Sequence, residues 1–194
     1  MELNKSLTPR SVLLFNKADR LELNICQWLN GTGRFTSVRM FFKTISRLGD
    51  GVFWYSLALA LPLLMGMEGL AAVGHMTVTG LLCVAIYSQL KNRLVRQRPF
   101  ISWEEIRAHT APLDLYSFPS GHTMNAVNFA VLFCVFYPPL FWLVVPFALL
   151  VALSRVILGM HYPTDVLVGA ALGLLISNGS LLLWPQGMFA SMVL

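Results

Sequence analysis

Five apolar runs, at about residues 51–67, 69–90, 121–137, 140–158 and 165–184, constrain this chain more than any other feature. Each comes near the roughly 20 mostly apolar residues that a helix needs to cross the hydrocarbon core of a bilayer. Only 12% of the 194 residues are charged and 56% are hydrophobic, whereas soluble domains carry about 25% charged residues. The expected fold is therefore an all-α polytopic membrane helix bundle of five or six spans. It forms one membrane-integral domain over residues 1–194, with residues 1–50 as an amphipathic, interfacial amino-terminal segment.

The amino-terminal segment is expected to lie in the interface because residues 21–48 mix Arg34, Arg39, Lys43 and Arg47 with apolar side chains. Phe35, Val38, Phe41, Phe42, Ile45 and Leu48 recur at helical spacing, which leaves the basic residues largely on other faces. A sixth, poorer span there is the alternative. No stretch of the first 20 residues is apolar enough for a cleavable secretion signal, so insertion is expected to be directed by the spans themselves. Cys26, Cys83 and Cys134 lack paired spacing and read as packing residues, with neither a disulfide framework nor a zinc site. Asn30, Gly31 and Gly33 mark a turn.

With five spans, residues 1–50, 91–120 and 155–165 fall on one side of the membrane, and all 14 Lys and Arg residues fall with them. The opposite connections hold only Glu68. The positive-inside rule makes the basic side cytoplasmic, unless some of these cations serve to bind an anion. Arg93, Arg96 and Arg107 read as interfacial anchors. Lys91, Arg98 and Arg155 differ, because each stands near a His or Ser at the same membrane edge, where an anionic partner is the economical explanation.

Three stretches at that edge carry chemistry. In the first, Lys91 and Arg98-Pro99 are two helical turns apart, so they share a face if the second span persists to Pro99; two such cations suit a multiply charged oxyanion, although basic residues closing a span are commonly anchors. The second, Pro119-Ser120-Gly121-His122, opens the third span. Its unpaired N–H groups suit a phosphate, with Ser120 as a further donor and Gly121 allowing close approach, while a plain N-cap at Ser120 and an interfacial His122 are the bland alternative. The third runs from Ser154-Arg155 through His161 to Asp165. Asp165 is placed to accept from one imidazole nitrogen and leave the other free to attack, or to act only as an N-cap, and Pro163 puts His161 in a turn. Two histidines, three cations, a hydroxyl and a helix N-terminus are an inventory for phosphoryl transfer: one His attacks, another protonates the leaving oxygen. No metal or other cofactor is required, and Glu104, Glu105 and Asp114 are too dispersed for a two-metal site.

As a set, Lys91 to Arg98-Pro99, Pro119-Ser120-Gly121-His122 and Ser154-Arg155 to His161 to Asp165 resemble the three-part signature of the type-two phosphatidic acid phosphatases, whose pocket is shared with vanadium haloperoxidases. The resemblance covers residues 91–165, with no departure at a defining position. It implies that His161 is the nucleophile and forms a phosphohistidine, that Asp165 orients it, and that His122 is the general acid. Lys91, Arg98, Ser120, Gly121 and Arg155 are implied to hold the phosphate, and water then releases inorganic phosphate. It also implies a multi-pass protein of the bacterial cytoplasmic (inner) membrane with its pocket on the periplasmic face. That face conflicts with the charge count unless residues 21–48 span.

The expected function is hydrolysis of a lipid phosphate or diphosphate held in the bilayer, with undecaprenyl diphosphate as first candidate. Phosphatidylglycerophosphate, phosphatidic acid and lipid A phosphates are the alternatives. Transfer of the phosphoryl group to another lipid is a second enzyme reading, for which Trp103, Tyr116 and Phe118 of the 91–120 loop are candidate shields of the site. A non-catalytic lipid-phosphate binder or transporter is a third, disfavoured because no inverted repeat or broken helix is evident. No nucleic-acid partner is expected, and the oligomeric state is left open.

Overall fold

The computed structural model describes residues 10–112 and 114–183. All regular elements among them are helical: α1 Arg10–Thr32, α2 Thr36–Arg47, α3 Phe53–Met65, α4 Met67–Arg93, the single turn α5 Pro99–Ser102, α6 Gly121–Phe136, α7 Phe141–Ile157 and α8 Pro163–Leu183. A π turn, Leu48–Val52, joins α2 to α3, and a 3₁₀ turn, Pro138–Leu140, leads into α7. Four helical segments have the length and apolarity to cross a membrane: Thr36–Met65, Met67–Arg93, Pro138–Ile157 and Pro163–Leu183. Gly121–Phe136 is apolar but shorter.

The amino-terminal region forms two helices, which part at the turn that Asn30, Gly31 and Gly33 mark in the sequence. The chain turns at Gly33 and Arg34, where the Gly33 N–H bonds to the Asn30 carbonyl at 2.9 Å, and this separates α1 from α2. α2 and α3 then follow one another through the π turn within one 30-residue apolar stretch, with a kink at Gly51. The physical reason is local. Gly51 has φ 147°, a conformation that L side chains rarely adopt, so the helical path kinks there and α3 resumes it from Phe53. Arg39 and Lys43 stay off the packed side, while Ile45 and Ser46 are buried against the bundle.

α6 is the central helix. It packs most extensively against α8 and then α7, with α4 on a further side. Gly169 and Gly173, one turn apart on α8, lie against the backbone carbonyls of Ser120 and Met124 on α6; a Cβ at either would stand 2.5 Å from that oxygen. Small residues four apart are how helices in lipid come this close. The apolar core is aromatic, with Trp54 between Phe133, Phe129 and Phe147, and Phe53 stacked on Phe147. Leu59, Leu63, Val78, Leu81, Trp142, Leu149 and Leu175 are exposed, as expected of a surface that faces acyl chains.

Among the described residues, the buried charged groups are concentrated at one end. Asp19, Glu22, Lys91, Arg96, Arg98, Ser120, Arg155, His161 and Asp165 are all buried. They come from the end of α4, the following loop, the start of α6, the end of α7, the start of α8 and α1.

Candidate active site

α6 begins where the sequence predicts, with Ser120 as its N-cap. The Ser120 hydroxyl is spent locally: it accepts the Thr123 N–H at 3.4 Å and pairs with the Thr123 hydroxyl at 2.9 Å. The next residue, Gly121, lies against the Tyr87 ring, 3.0 Å from where a Cβ would be. His122 follows on the first turn, and its Nε2 is in contact with the Asp50 carboxylate from the π turn.

Lys91 and Arg98 meet, but not along a shared helix face. α4 ends at Arg93, and residues 95–98 are irregular before Pro99 opens α5. The two cations converge because both bind Asp114: Lys91 Nζ at 2.6 Å on one carboxylate oxygen and Arg98 Nη2 at 2.7 Å on the other. Arg98 also donates to the carbonyls of Asp114 at 3.0 Å and Met160 at 2.9 Å. Burial opposes ionisation of Asp114, but the hydrogen bond from Lys91 and the charges of Lys91 and Arg98 outweigh it, so the carboxyl is held below its ordinary range.

His161 lies in the turn between α7 and α8, 1% exposed. Its backbone N–H bonds to the Arg155 carbonyl at 3.1 Å. Burial, then the charges of Arg155, Arg98 and Lys91, keeps its imidazole well below the ordinary pKa, so the ring is neutral at physiological pH and has a lone pair to offer. Asp165 stands 3.6 Å from His161 Nδ1, too long for a hydrogen bond. Its Oδ2 instead accepts the Tyr162 N–H at 2.8 Å, the return half of a capping box at the start of α8. Of the two sequence expectations for Asp165, the capping role is the one the structure shows; the hydrogen bond from the imidazole is not made, and His161 Nδ1 is buried without a partner beside it.

The other oxygen of Asp165 corrects a sequence expectation. Arg96 is not an interfacial anchor. It is 1% exposed, and its Nη1 reaches Asp165 Oδ1 at 2.5 Å and the Thr164 hydroxyl at 2.7 Å. Its Nε and Nη2 hold Asp19 at 2.9 and 2.6 Å, and Nη2 also reaches Glu22 at 3.1 Å. Glu22 in turn accepts from the Thr164 N–H and hydroxyl at 2.8 and 2.7 Å, and the guanidinium lies 4.0 Å from the Tyr162 ring centroid. A buried guanidinium survives only with such partners. α1 is thus tied to the turn that holds His161. Asn30 adds a second tie, donating to the carbonyls of Arg107 at 2.9 Å and Ile157 at 3.0 Å.

A cavity of about 460 Å³ is lined by Asp50, Tyr87, Lys91, Asp114, Gly121 and His122 among others; His161, Arg98, Arg155 and Ser120 are not among its lining residues. Arg155, with Nη1 on the Ser46 hydroxyl at 2.5 Å, is buried, as is His161. Of the 91–120 loop, Asp114 lines this cavity, whereas Trp103 donates to the Tyr162 hydroxyl at 3.2 Å. Trp103, Tyr116 and Phe118 are not among its lining residues. Sequence reasoning missed Asp50, Arg96, Asp19 and Glu22. Only Asp50 had a local signal, an acid between Gly49 and Gly51 at the head of an apolar run.

The profile of the PAP2 superfamily matches residues 68–188, well over half of the chain. The chain belongs to the PAP2 superfamily. As a PAP2 protein it is a multi-pass membrane protein of the bacterial membrane-integral branch. Phosphatidylglycerophosphatase B of Bacillus subtilis (strain 168) is 37% identical over 124 residues, 52% of this chain and 55% of that protein. The chain thus spans little more than half the length of that curated relative. Two solved structures are similar along most of their length. The crystal structure of Aquifex aeolicus LpxE has a TM-score of 0.71 at 26% identity and covers 83% of this chain and 94% of that one. The PAP2 type phosphatidylglycerolphosphate phosphatase from Bacillus subtilis has a TM-score of 0.62 at 25% identity, covering 88% and 92%.

Proposed function

We propose that this chain hydrolyses a lipid phosphate, without a metal ion, through a phosphohistidine on His161. The observation that carries the reading is the convergence of a buried, neutral His161 with Lys91, Arg98 and Arg155 behind a cavity that exposes His122. In this mechanism His161 attacks phosphorus while the bond to the lipid oxygen breaks, and His122 gives that oxygen its proton. Lys91, Arg98 and Arg155, with the N–H groups opening α6 at Gly121 and the Ser120 hydroxyl once its proton turns from the Thr123 hydroxyl to the phosphate, hold the equatorial oxygens. Phosphate entry displaces the Asp114 carboxylate from Lys91 and Arg98. Water then attacks the phosphohistidine, His122 takes a proton back, and inorganic phosphate leaves. Asp165, steadied by Arg96, keeps the imidazole oriented.

Among substrates, a phosphate monoester of a glycerol lipid, of the phosphatidylglycerophosphate kind, fits best. Two carboxylates, Asp50 and Asp114, line the cavity, and they disfavour the second phosphate of a diphosphate substrate. The name of the Bacillus subtilis relative agrees with this choice. Undecaprenyl diphosphate, first by sequence, is the second reading. Five spans, counting Gly121–Phe136, and a periplasmic pocket complete the proposal; Lys91, Arg98 and Arg155 then serve the phosphate and Arg96 its carboxylates, so these four cations do not count toward orientation.

The test is phosphate release by purified wild type and His161→Ala against phosphatidylglycerophosphate, phosphatidic acid, a lipid A phosphate and undecaprenyl diphosphate, in detergent with EDTA. Activity that survives EDTA and is lost in the variant supports the mechanism, and the preferred lipid decides the substrate. Silence of folded wild type across the panel overturns hydrolysis; phosphoryl transfer to an added acceptor lipid would then replace it.

A further inference from the structure

The most informative pair that the signature leaves out is His122 and Asp50. Asp50 sits in the π turn between α2 and α3, an irregularity of the kind that concentrates at functional sites. The turn is built around it. Gly49 is closed against Val151, 2.7 Å from a virtual Cβ, and Gly51 takes φ 147° with its Cα facing the Tyr55 ring. Any side chain at these flanks would move the backbone that delivers the carboxylate. Asp50 lines the same cavity as His122, Lys91 and Asp114, and its Oδ1 meets His122 Nε2.

We infer that Asp50 is the positioning residue for the proton donor: its carboxylate holds His122 in one orientation and favours the imidazolium that protonates the departing lipid oxygen. A ring nitrogen that faces a carboxylate carries a proton, so Nε2–H is engaged by Asp50. The proton on Nδ1 is then the one passed on, and the ring is left neutral with Nε2–H still bonded. When water later attacks the phosphohistidine, the same nitrogen recovers a proton. The other titratable groups facing His122 are Arg155 from α7, Lys91 from α4 and the neutral His161 from the turn before α8. Burial and the two cations oppose imidazolium formation, and Asp50 is the negative charge in direct contact that works against them. This matters most for an alkoxide leaving group, which departs poorly without a proton. The pair therefore points to monoesters of lipid alcohols over diphosphates, whose leaving group is already acidic.

The inference rests on the phosphatase reading, and the experiment separates the two. Wild type, Asp50→Asn, Asp50→Glu, His122→Ala and the double variant are assayed on an alkyl phosphate lipid and on 4-nitrophenyl phosphate across pH, after gel filtration shows each to be folded. Asp50→Asn is expected to lower kcat on the alkyl substrate at least about 10-fold. The loss should be smaller on the aryl substrate, the alkaline limb of the kcat profile should move to lower pH, and Asp50→Glu should recover part of the rate. In the His122→Ala background the substitution should add little further loss. Equal losses on both substrates, an unmoved profile, or full additivity with His122→Ala overturns the inference. A rise in kcat/KM also overturns it, since that marks Asp50 as a mere competitor for the leaving-group position. Inactive, folded wild type overturns the phosphatase reading itself.

Discussion

At the scale of single residues, Arg96 has more consequences than its place in the sequence suggests. Its guanidinium bridges Asp165, beside the His161 imidazole, to Asp19 and Glu22 of α1. A lysine keeps the charge but not the fork, and cannot serve three carboxylates in those directions. Arg96→Lys is therefore expected to fold with lower thermal stability and to lose roughly 10- to 100-fold in kcat through misorientation of His161, with a smaller change in KM because no phosphate contact is removed. Thermal melts in detergent with steady-state kinetics check both halves. Nothing near Arg96 in the sequence announces this role. Its partners lie 69 to 77 positions away, and an Arg closing an apolar run is most often an anchor.

At the scale of elements, the 91–120 loop contributes most through Asp114. The loop brings a carboxylate onto Lys91 and Arg98, where a phosphate would otherwise sit, and the carboxyl is ionised at neutral pH because those cations hold it below its ordinary range. Replacement by Asn keeps the shape and removes the competing charge. Asp114→Asn is expected to lower KM and tighten inhibition by inorganic phosphate by roughly 10-fold, measured by inhibition kinetics at pH 7. A weaker phosphate inhibition would instead show that Asp114 organises the seat. The helices were legible as elements because apolar runs near span length allow little else, and the start of α6 was legible because Ser120 precedes it as a cap. The break between α1 and α2 was legible in Asn30, Gly31 and Gly33, which mark a turn; the kinked passage from α2 into α3 was not, because it depends on one backbone conformation, at Gly51.

At the scale of the molecule, the bundle buries its charged residues at one end, and that has a thermodynamic signature. His161 is neutral in the folded chain below the pH at which an unfolded histidine protonates, because burial and then Arg155, Arg98 and Lys91 lower its pKa. The unfolded state then binds more protons, so stability rises with pH and falls as pH drops below about 6.5, by at most about 1.4 kcal/mol per pH unit from this group. Melting temperatures in detergent from pH 7.5 to 5 should fall, and His161→Asn should flatten that slope; an equal slope in the variant would assign the effect elsewhere. By itself the sequence determined the membrane class, the approximate helices and the three clusters of reactive side chains, since apolar length and motif spacing are local properties. Only the tertiary structure decided that Asp50 meets His122 across 72 positions, that Asp114 occupies the cation pair and that Arg96 ties α1 to Asp165. Ion pairs between distant residues exist only after helices pack, and here the close approach of α6 and α8 through Gly169 and Gly173 sets which helix ends share one site.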